Sequence, residues 1–473
     1  MSRPNIILII TDQQRYDTIG ALGQPHMRTP TLDRLVAEGT AFTHAFVTAP
    51  SCAPSRASLF TGYYPHTTGV LKNEDEWRHS WVESLAATGY HCVNIGKMHT
   101  YPYETPLGFH ERHVVENKDR YYPIVPFYWD TLDKALLARG LGRTGRRMYR
   151  SRPDYAQRLG AFEWEQPEDL HPDFYVGNLA IEWARRHPHT EPVFLQVGFP
   201  GPHPPYDPIA RYTEHYLDQD LPILPVDDAD LAAQPAPLAA MRRHNREVDH
   251  DAIVHDEGAD LARRKRQRAY YLANITMIDE KIGELLRVLE EQGYLDDAVI
   301  AFTSDHGDAL GDHGQSQKWT MYDCATRVPL ILWSTGERSG RAVDRLVQMM
   351  DIGPTLLEFA GITPPETMQA QSLRPLMRGE AGGRDEVFAE HVRDGILQET
   401  EFMTMIRTRT HKLVHFVDCP QGQLFDLDAD PDETVNRWDS AEHAEVKQQL
   451  LLRLLNWRVH GDVVTSRYSE PWR

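Results

Sequence analysis

Asn5-Ile6-Ile7-Leu8-Ile9-Ile10-Thr11-Asp12-Gln13 is an unbroken aliphatic run that ends at once on polar side chains able to bind a cation. A strand with one wet face alternates apolar and polar residues, whereas a run with no alternation suits a strand buried on both faces of a parallel or mixed sheet. The reading therefore predicts a sheet covered by helices on both sides, with Asp12 delivered at a carboxyl end. The pattern recurs. Residues 299–303 (Val-Ile-Ala-Phe-Thr) end at Ser304-Asp305-His306-Gly307, and residues 193–199 (Val-Phe-Leu-Gln-Val-Gly-Phe) run into Pro200-Gly201-Pro202-His203-Pro204-Pro205.

Helical patterns separate these runs. Residues 31–38 carry an N-cap-like Thr31, apolar Leu32 and Leu35, and a stop at Gly39; residues 41–47 then read as a strand. Residues 80–88 read as a helix ended by Gly89, and 90–95 as a strand. Across 270–292 the spacing of Ile275, Ile278, Ile282, Leu285 and Leu289 is that of an amphipathic helix, closed by Gly293. Strand and helix in alternation predict an α/β sandwich with a large central mixed sheet. Residues 103–175 and 205–262, rich in Pro, Asp, Arg and aromatics, read as insertions over the sheet edge that shape pockets. After Pro364-Pro365 the pattern changes: 402–407 and 412–416 read as antiparallel strands and 444–457 as a terminal amphipathic helix. The expected division is a catalytic domain over residues 1–375 and a small α+β C-terminal subdomain over 376–473.

The 473 residues, 41% hydrophobic, suffice for a large core. Fifty Lys and Arg against 69 Asp and Glu give a net charge of −19, which argues against nucleic acid or an anionic membrane as partner. An anionic substrate must then be drawn in by a local positive pocket. Four scattered cysteines (Cys52, Cys92, Cys324, Cys419) form no Cys-x-x-Cys pair and no disulfide framework. The first apolar run is too short for a signal peptide or a membrane span, so a cytoplasmic protein is expected. Oligomeric state stays open; the acidic surface and the tail 468–473 are compatible with a homo-oligomer.

One Asp at a strand end is ordinarily a turn former or helix cap. Two such ends, Asp12-Gln13 and Asp305-His306, together offer oxygen and nitrogen ligands for a divalent cation, and open α/β sheets gather their sites at carboxyl ends. A lone cysteine is ordinarily an inert buried thiol. Cys52-Ala53-Pro54-Ser55-Arg56-Ala57-Ser58-Leu59-Phe60-Thr61-Gly62, however, resembles the signature of the type I sulfatases. The resemblance extends to residues 5–13, Gly96-Lys97-Met98-His99, His203, Ser304-Asp305-His306-Gly307, Lys318, and Leu424-Phe425-Asp426-Leu427-Asp428 through Asp432-Glu433.

That resemblance implies an alkaline-phosphatase-like α/β sandwich hydrolysing sulfate esters. It implies that Cys52 is oxidised by a formylglycine-generating enzyme to an aldehyde whose geminal diol attacks sulfur, forming a covalent sulfo-enzyme that releases sulfate. It implies Asp12, Gln13, Asp305 and His306 as ligands of one divalent metal ion, calcium, with manganese or magnesium left open by the His ligand; many sulfatases have Asp and Asn where this chain has Gln13 and His306. Arg56 and Lys97 match the residues that hold and ionise the diol. Lys318 matches the group on a sulfate oxygen, His203 the acid for the leaving oxygen, and His99 the base for sulfate release; Asp305 aids deprotonation. Asn73 matches a polar residue near the substrate group of related phosphonate and phosphodiester hydrolases.

Those hydrolases, which share the formylglycine and the Gln and His ligands, are the rival reading; Ser55, Lys97 and His99 favour the sulfatase. A noncatalytic metal-binding relative would lack an essential group, and none is missing. Residues 263–268 (Arg-Arg-Lys-Arg-Gln-Arg) read as a solvated helix start, and His244, His250 and His255 as part of a loop or lid. Trp129, Tyr128, Tyr121 and Tyr122 read either as core or as the lining of an aryl or sugar pocket. The alcohol part of the ester is not legible.

Overall fold

The computed structural model describes residues 3–468 apart from 119–128, 145, 189, 249–255, 257 and 338. Tyr121, Tyr122, Tyr128, His250 and His255 lie outside the described residues.

The strand β1 (Asn5–Asp12) lies at the centre of a nine-stranded sheet and is buried along its whole length. With β2 (Thr40–Phe46), β3 (His91–Gly96), β4 (Glu111–Val114), β5 (Val193–Pro202), β6 (Ala298–Ser304), β7 (Arg327–Val328) and β8 (Leu330–Ser334) the order is β4-β3-β5-β1-β6-β8-β2-β7. The final strand, β9 (Arg341–Gln348), pairs with the far side of β2. The five strands from β4 to β6 are parallel, while β8 runs antiparallel to both β6 and β2, so the sheet is mixed as expected.

Alternate side chains of β1 feed two cores, the physical reason for its unbroken apolarity. Ile6, Leu8 and Ile10 pack with Ala57 and Phe60 of the helix Cys52–Thr61, with Trp81, and with Leu356 and Leu357. Ile7 and Ile9 face the other way, against Val176 and Ala180 of the helix Pro172–Arg186, Ile278 and Ile282 of the helix Leu261–Glu291, and Leu35. A second sheet, antiparallel in the order β10 (Val387–Val392), β11 (Phe402–Arg407), β12 (His411–Phe416), β13 (Gln423–Asp426), carries the terminal helix Ala444–Tyr468, whose Leu450 and Leu454 pack with Leu413 and Leu424. Among the described residues no helix is long and apolar enough to cross a membrane.

Several expectations need correction. The first helix starts at Pro30, so Thr29 rather than Thr31 precedes it as the capping position. The stretch 103–175 is not wholly insertion, because it contains the edge strand β4. Residues 263–268 are not simply a solvated helix start: Arg264 and Arg268 are buried, since Asp312 accepts from both, at 3.4 and 3.0 Å. Arg15 completes this cluster at 2.8 Å from Asp312. His244 lies in the last turn of the helix Ala236–Glu247 and not in a loop, with Gln398 Nε2 3.4 Å from its ring. Trp129 is exposed at the rim of a cavity with Arg112, Phe109 and Lys134, and is therefore not core.

Candidate active site

Strand register brings the two polar ends together. Thr11 is paired with Ser304 across the parallel β1–β6 ladder, so Asp12-Gln13 and Asp305-His306 emerge side by side. Gln13 turns into the left-handed region (φ 70), which lets its amide hydrogen donate to Asp305 Oδ1 at 3.0 Å. At the neighbouring carboxyl ends of β3 and β5, Gly96 and Gly198 leave no room for a Cβ, because the carbonyls of Gly198 and Lys97 lie directly against them. That close approach aims Lys97 inward.

Cys52 opens the helix Cys52–Thr61, every residue of which is buried. Ser55 Oγ donates to the Asp305 carbonyl at 2.6 Å and locks the helix to the end of β6. Gly62, at φ 78, ends it in the left-handed conformation that favours glycine. Cys52 Sγ consequently stands 3.1 Å from His306 Nε2, 3.3 Å from Lys318 Nζ and 4.0 Å from Asp12 Oδ1.

Arg56, one helical turn on, donates through Nε to Asp305 Oδ2 at 2.7 Å, through Nη2 to Asp12 Oδ2 at 3.3 Å and through Nη1 to the Lys97 carbonyl at 3.1 Å. Lys97 Nζ adds an ion pair to Asp12 Oδ2 at 2.5 Å and a hydrogen bond to Asn117 Oδ1 at 2.7 Å. One oxygen of each carboxylate is thus clamped by cations. Asp12 Oδ1 and Asp305 Oδ1, the latter also accepting the Gln13 amide, face His306 Nε2 at 3.9 and 3.7 Å.

Asp308 plays a part that the sequence reading missed. Its Oδ2 accepts from Gln13 Nε2 at 2.7 Å and from Tyr206 Oη at 2.7 Å. A carboxylate only accepts, so the NH₂ of Gln13 is directed to Asp308 and Oε1 to the site, where Lys318 Nζ donates to it at 3.1 Å. Tyr271 Oη donates to the Gln13 carbonyl at 2.7 Å and holds the turn. The signal was slight: Asp308 is one more acid, two positions beyond His306.

The histidines are fixed by their neighbours. His306 Nδ1 lies 2.9 Å from the Gly307 carbonyl and His203 Nδ1 2.8 Å from that of Pro204. A carbonyl can only accept, so each Nδ1 carries hydrogen and each Nε2 is the working nitrogen. His99 is half-buried at φ 63, its backbone held by Glu116 Oε2 at 3.0 Å, and its buried Nδ1 finds no hydrogen-bond partner among the described residues. Asn73 is exposed in a turn that Asp75 closes, and among the described residues it makes no hydrogen bond to the cluster.

Burial pushes the Asp12 carboxyl up, but Lys97, His203, Arg56 and Lys318 together hold it well below the usual carboxylate range. Burial and Asp12 push the Cys52 thiol up; Lys318, Lys97 and His306 outweigh them and hold it well below its ordinary value. Burial pulls His306 down, while Asp305 and Cys52 raise it, to about 8. A site that stabilises anionic sulfur on residue 52 would stabilise an anionic oxygen there by the same charges.

The donor set fits a hard divalent cation. The ligand atoms of Asp12, Asp305, His306 and Cys52 all lie within 4.8 Å of one another, about twice a calcium–oxygen distance of roughly 2.4 Å. Gln13 Oε1 adds a neutral oxygen.

The family model "Sulfatase" matches residues 4–362, and that of the N-sulphoglucosamine sulphohydrolase C-terminal region matches residues 311–460. An arylsulfatase of Clostridium perfringens is 31% identical over 489 residues, spanning 97% of this chain and 96% of that protein. The crystal structure of a phosphonate monoester hydrolase of Agrobacterium radiobacter aligns with a TM-score of 0.81 and 26% identity, over 97% of this chain and 96% of that one. A protein solved in complex with its substrate D-glucosamine-2-N,6-O-disulfate aligns with a TM-score of 0.76 and 22% identity, over 98% of both chains.

Proposed function

The chain belongs to the sulfatase family and is a sulfuric ester hydrolase; from that premise we propose that its nucleophile is formylglycine made from Cys52. The observation that carries this reading is the position of Cys52 Sγ, buried at the head of its helix within 3.3 Å of both His306 Nε2 and Lys318 Nζ. Sγ marks the place of the oxygen that the oxidised side chain would bear. As its hydrate, that side chain supplies a hydroxyl nucleophile able to shed sulfate by returning to the aldehyde, which an ordinary serine could not do. Cys52 is only 2% exposed, so the maturation enzyme must act before the chain closes over it.

Asp12, Gln13, Asp305 and His306 would hold one divalent ion, calcium by preference of the three oxygen ligands, which would neutralise charge on the ester's non-bridging oxygens. His306 as ligand also accommodates manganese or magnesium. Lys318 Nζ, which donates to Gln13 Oε1 at 3.1 Å and lies 3.3 Å from Cys52 Sγ, would bind a sulfate oxygen. Arg56 and Lys97 keep Asp12 and Asp305 ionised, and their charge favours the anionic nucleophile. His203 Nε2 protonates the leaving oxygen, and His99 takes the proton that frees sulfate.

A second reading, phosphonate monoester hydrolysis, is favoured by the structural likeness to the Agrobacterium enzyme and by the Gln13 and His306 pair. Both esters are monoanions passing through a trigonal bipyramid, so the two activities are expected together with sulfate preferred. The test compares wild type, its residue-52 peptide weighed, with Cys52→Ala on a nitrophenyl sulfate and a phenyl phosphonate monoester, with and without chelator. Metal-dependent sulfate release that exceeds phosphonate release and vanishes in the variant supports the sulfatase. Faster phosphonate cleavage would transfer the assignment to the second reading, and activity surviving in Cys52→Ala would remove formylglycine from the mechanism.

A further inference from the structure

On the second sheet, His411 opens β12 and Asp426 ends β13, and the two are direct cross-strand partners. His443 reaches the same spot from the short turn Ala441–His443, which leads straight into the terminal helix Ala444–Tyr468. The three side chains offer ligand atoms that all lie within 4.8 Å of one another, with His443 Nε2 3.8 Å from Asp426 Oδ2.

What distinguishes this group from a chance surface cluster is the second tier of contacts. His411 Nδ1 is engaged by Thr410 Oγ1 at 2.8 Å, and His443 Nδ1 by Ser440 Oγ at 2.9 Å. Both rings are thereby held in orientation through Nδ1, and each hydroxyl can accept a hydrogen from it, which leaves Nε2 to meet a metal in the manner of metal-binding histidines. Asp426 Oδ1 accepts the backbone amides of Asp428 and Ala429, at 3.2 and 3.3 Å, which leaves Oδ2 for the group. The rings of His411 and His443 are inclined at 61°, so their lone pairs can converge. Another cluster of two histidines and a carboxylate, His91, Glu111 and His187, lacks this geometry. Its histidines are stacked face to face at 23° and 4.7 Å, and His91 Nε2 is already bonded to Glu111 Oε1 at 2.7 Å.

We propose that His411, Asp426 and His443 form a second metal site, selective for Zn²⁺, that ties the start of the terminal helix to the β12–β13 hairpin. Two imidazoles and one carboxylate suit zinc rather than the hard cation of the catalytic site, and water would complete a tetrahedron. Zinc–ligand distances near 2.0–2.1 Å require ligand atoms roughly 3.4 Å apart, so from separations within 4.8 Å binding would draw the ligand atoms together by up to about 1.4 Å. The site is built from the C-terminal subdomain alone and shares no residue with the catalytic cluster.

The test is zinc stoichiometry by equilibrium dialysis against ZnCl₂, on full-length calcium-loaded protein carrying Cys52→Ala so that the thiol cannot bind zinc. Compared with this parent, adding His443→Ala should remove one equivalent of zinc, whatever zinc the catalytic ligands also take up. Adding Ser440→Ala, which spares all three ligands, should weaken the same equivalent by about 10-fold or more. Co²⁺ should give the visible bands of a tetrahedral nitrogen–oxygen site in the parent and not in His443→Ala. In the protein with Cys52 intact and converted, His443→Ala should leave sulfate release at saturating substrate unchanged. Equal zinc content in parent and His443→Ala, or full-strength binding in Ser440→Ala, would overturn the proposal.

Discussion

Replacing Asp308 by asparagine tests whether Gln13 is held as a metal ligand by its neighbour. The substitution keeps shape and removes one acceptor. In the native site Asp308 Oδ2 receives Gln13 Nε2 and Tyr206 Oη, each at 2.7 Å, and Oδ1 receives the Leu310 amide at 2.9 Å. If the introduced asparagine keeps its oxygen on Leu310, its NH₂ faces the NH₂ of Gln13; the tyrosine hydroxyl can rotate to accept, but the amide cannot. Gln13 must then flip, turning a donor towards Lys318 and the cation. If the asparagine flips instead, its NH₂ meets the Leu310 amide, and a buried donor is orphaned at about 1–3 kcal/mol. Loss of such an orienting partner typically weakens metal binding 10- to 100-fold, about 1.4–2.7 kcal/mol. The assay titrates calcium into chelator-stripped wild type and Asp308→Asn, reading sulfate release and heat of binding. A calcium affinity unchanged within about twofold, in a variant whose urea midpoint is also unchanged, would refute the role given to Asp308.

Two further outcomes follow from buried charge. Asp312→Ala should destabilise the protein by about 3–5 kcal/mol in urea unfolding, because Arg15, Arg264 and Arg268 lose a shared buried partner. Burial pushes the Asp312 carboxyl up, but Arg268 and Arg15 hold it below its ordinary value, so its contribution is present above the unfolded pKa near 3.9 and is lost as pH falls; an acid unfolding limb unaltered by the substitution would contradict this. His306 is raised to about 8, so in the metal-free, unconverted protein its stabilisation is full below about pH 6.5 and lost as pH rises through 8. Because a protonated imidazole cannot bind a cation, calcium affinity should climb by up to about tenfold per pH unit between 6.5 and 8 and then level off; a flat profile would remove His306 from the ligand set.

The interior of the sheet and its polar strand ends were legible because burial on both faces leaves a compositional mark. β1 and β6 were read to within a residue or two, and the acids they deliver lie in one cluster. The edge was not legible: Glu-Arg-His-Val of β4 shows neither alternation nor an apolar run, since an edge strand half open to water needs neither. The helix Pro172–Arg186 was hidden for a different reason, presenting small residues such as Ala180 and Ala184 to the sheet. The Arg264 and Arg268 pairing could not be seen because their partner, Asp312, is far along the chain, and a charge run in sequence carries no record of which members a fold will bury.

The same limit explains how a chain of net charge −19 can serve an anionic ester. Surface acids repel the substrate through a medium of high dielectric and are screened by salt within about 10 Å. Arg56, Lys97 and Lys318 are buried, two of them against Asp12 and Asp305, and their interactions are neither diluted by water nor screened to that degree. These three cations outnumber Asp12 and Asp305 around residue 52, while the carboxylate of Asp308 is held one contact further out, behind Gln13. The carboxylates that offset the rest also form the proposed metal ligands, so each guanidinium or ammonium that steadies Asp12 or Asp305 occupies one oxygen and leaves the other to a cation. Attraction for the ester is therefore a property of a few atoms at the carboxyl ends of β1 and β6, set by strand register and not by composition.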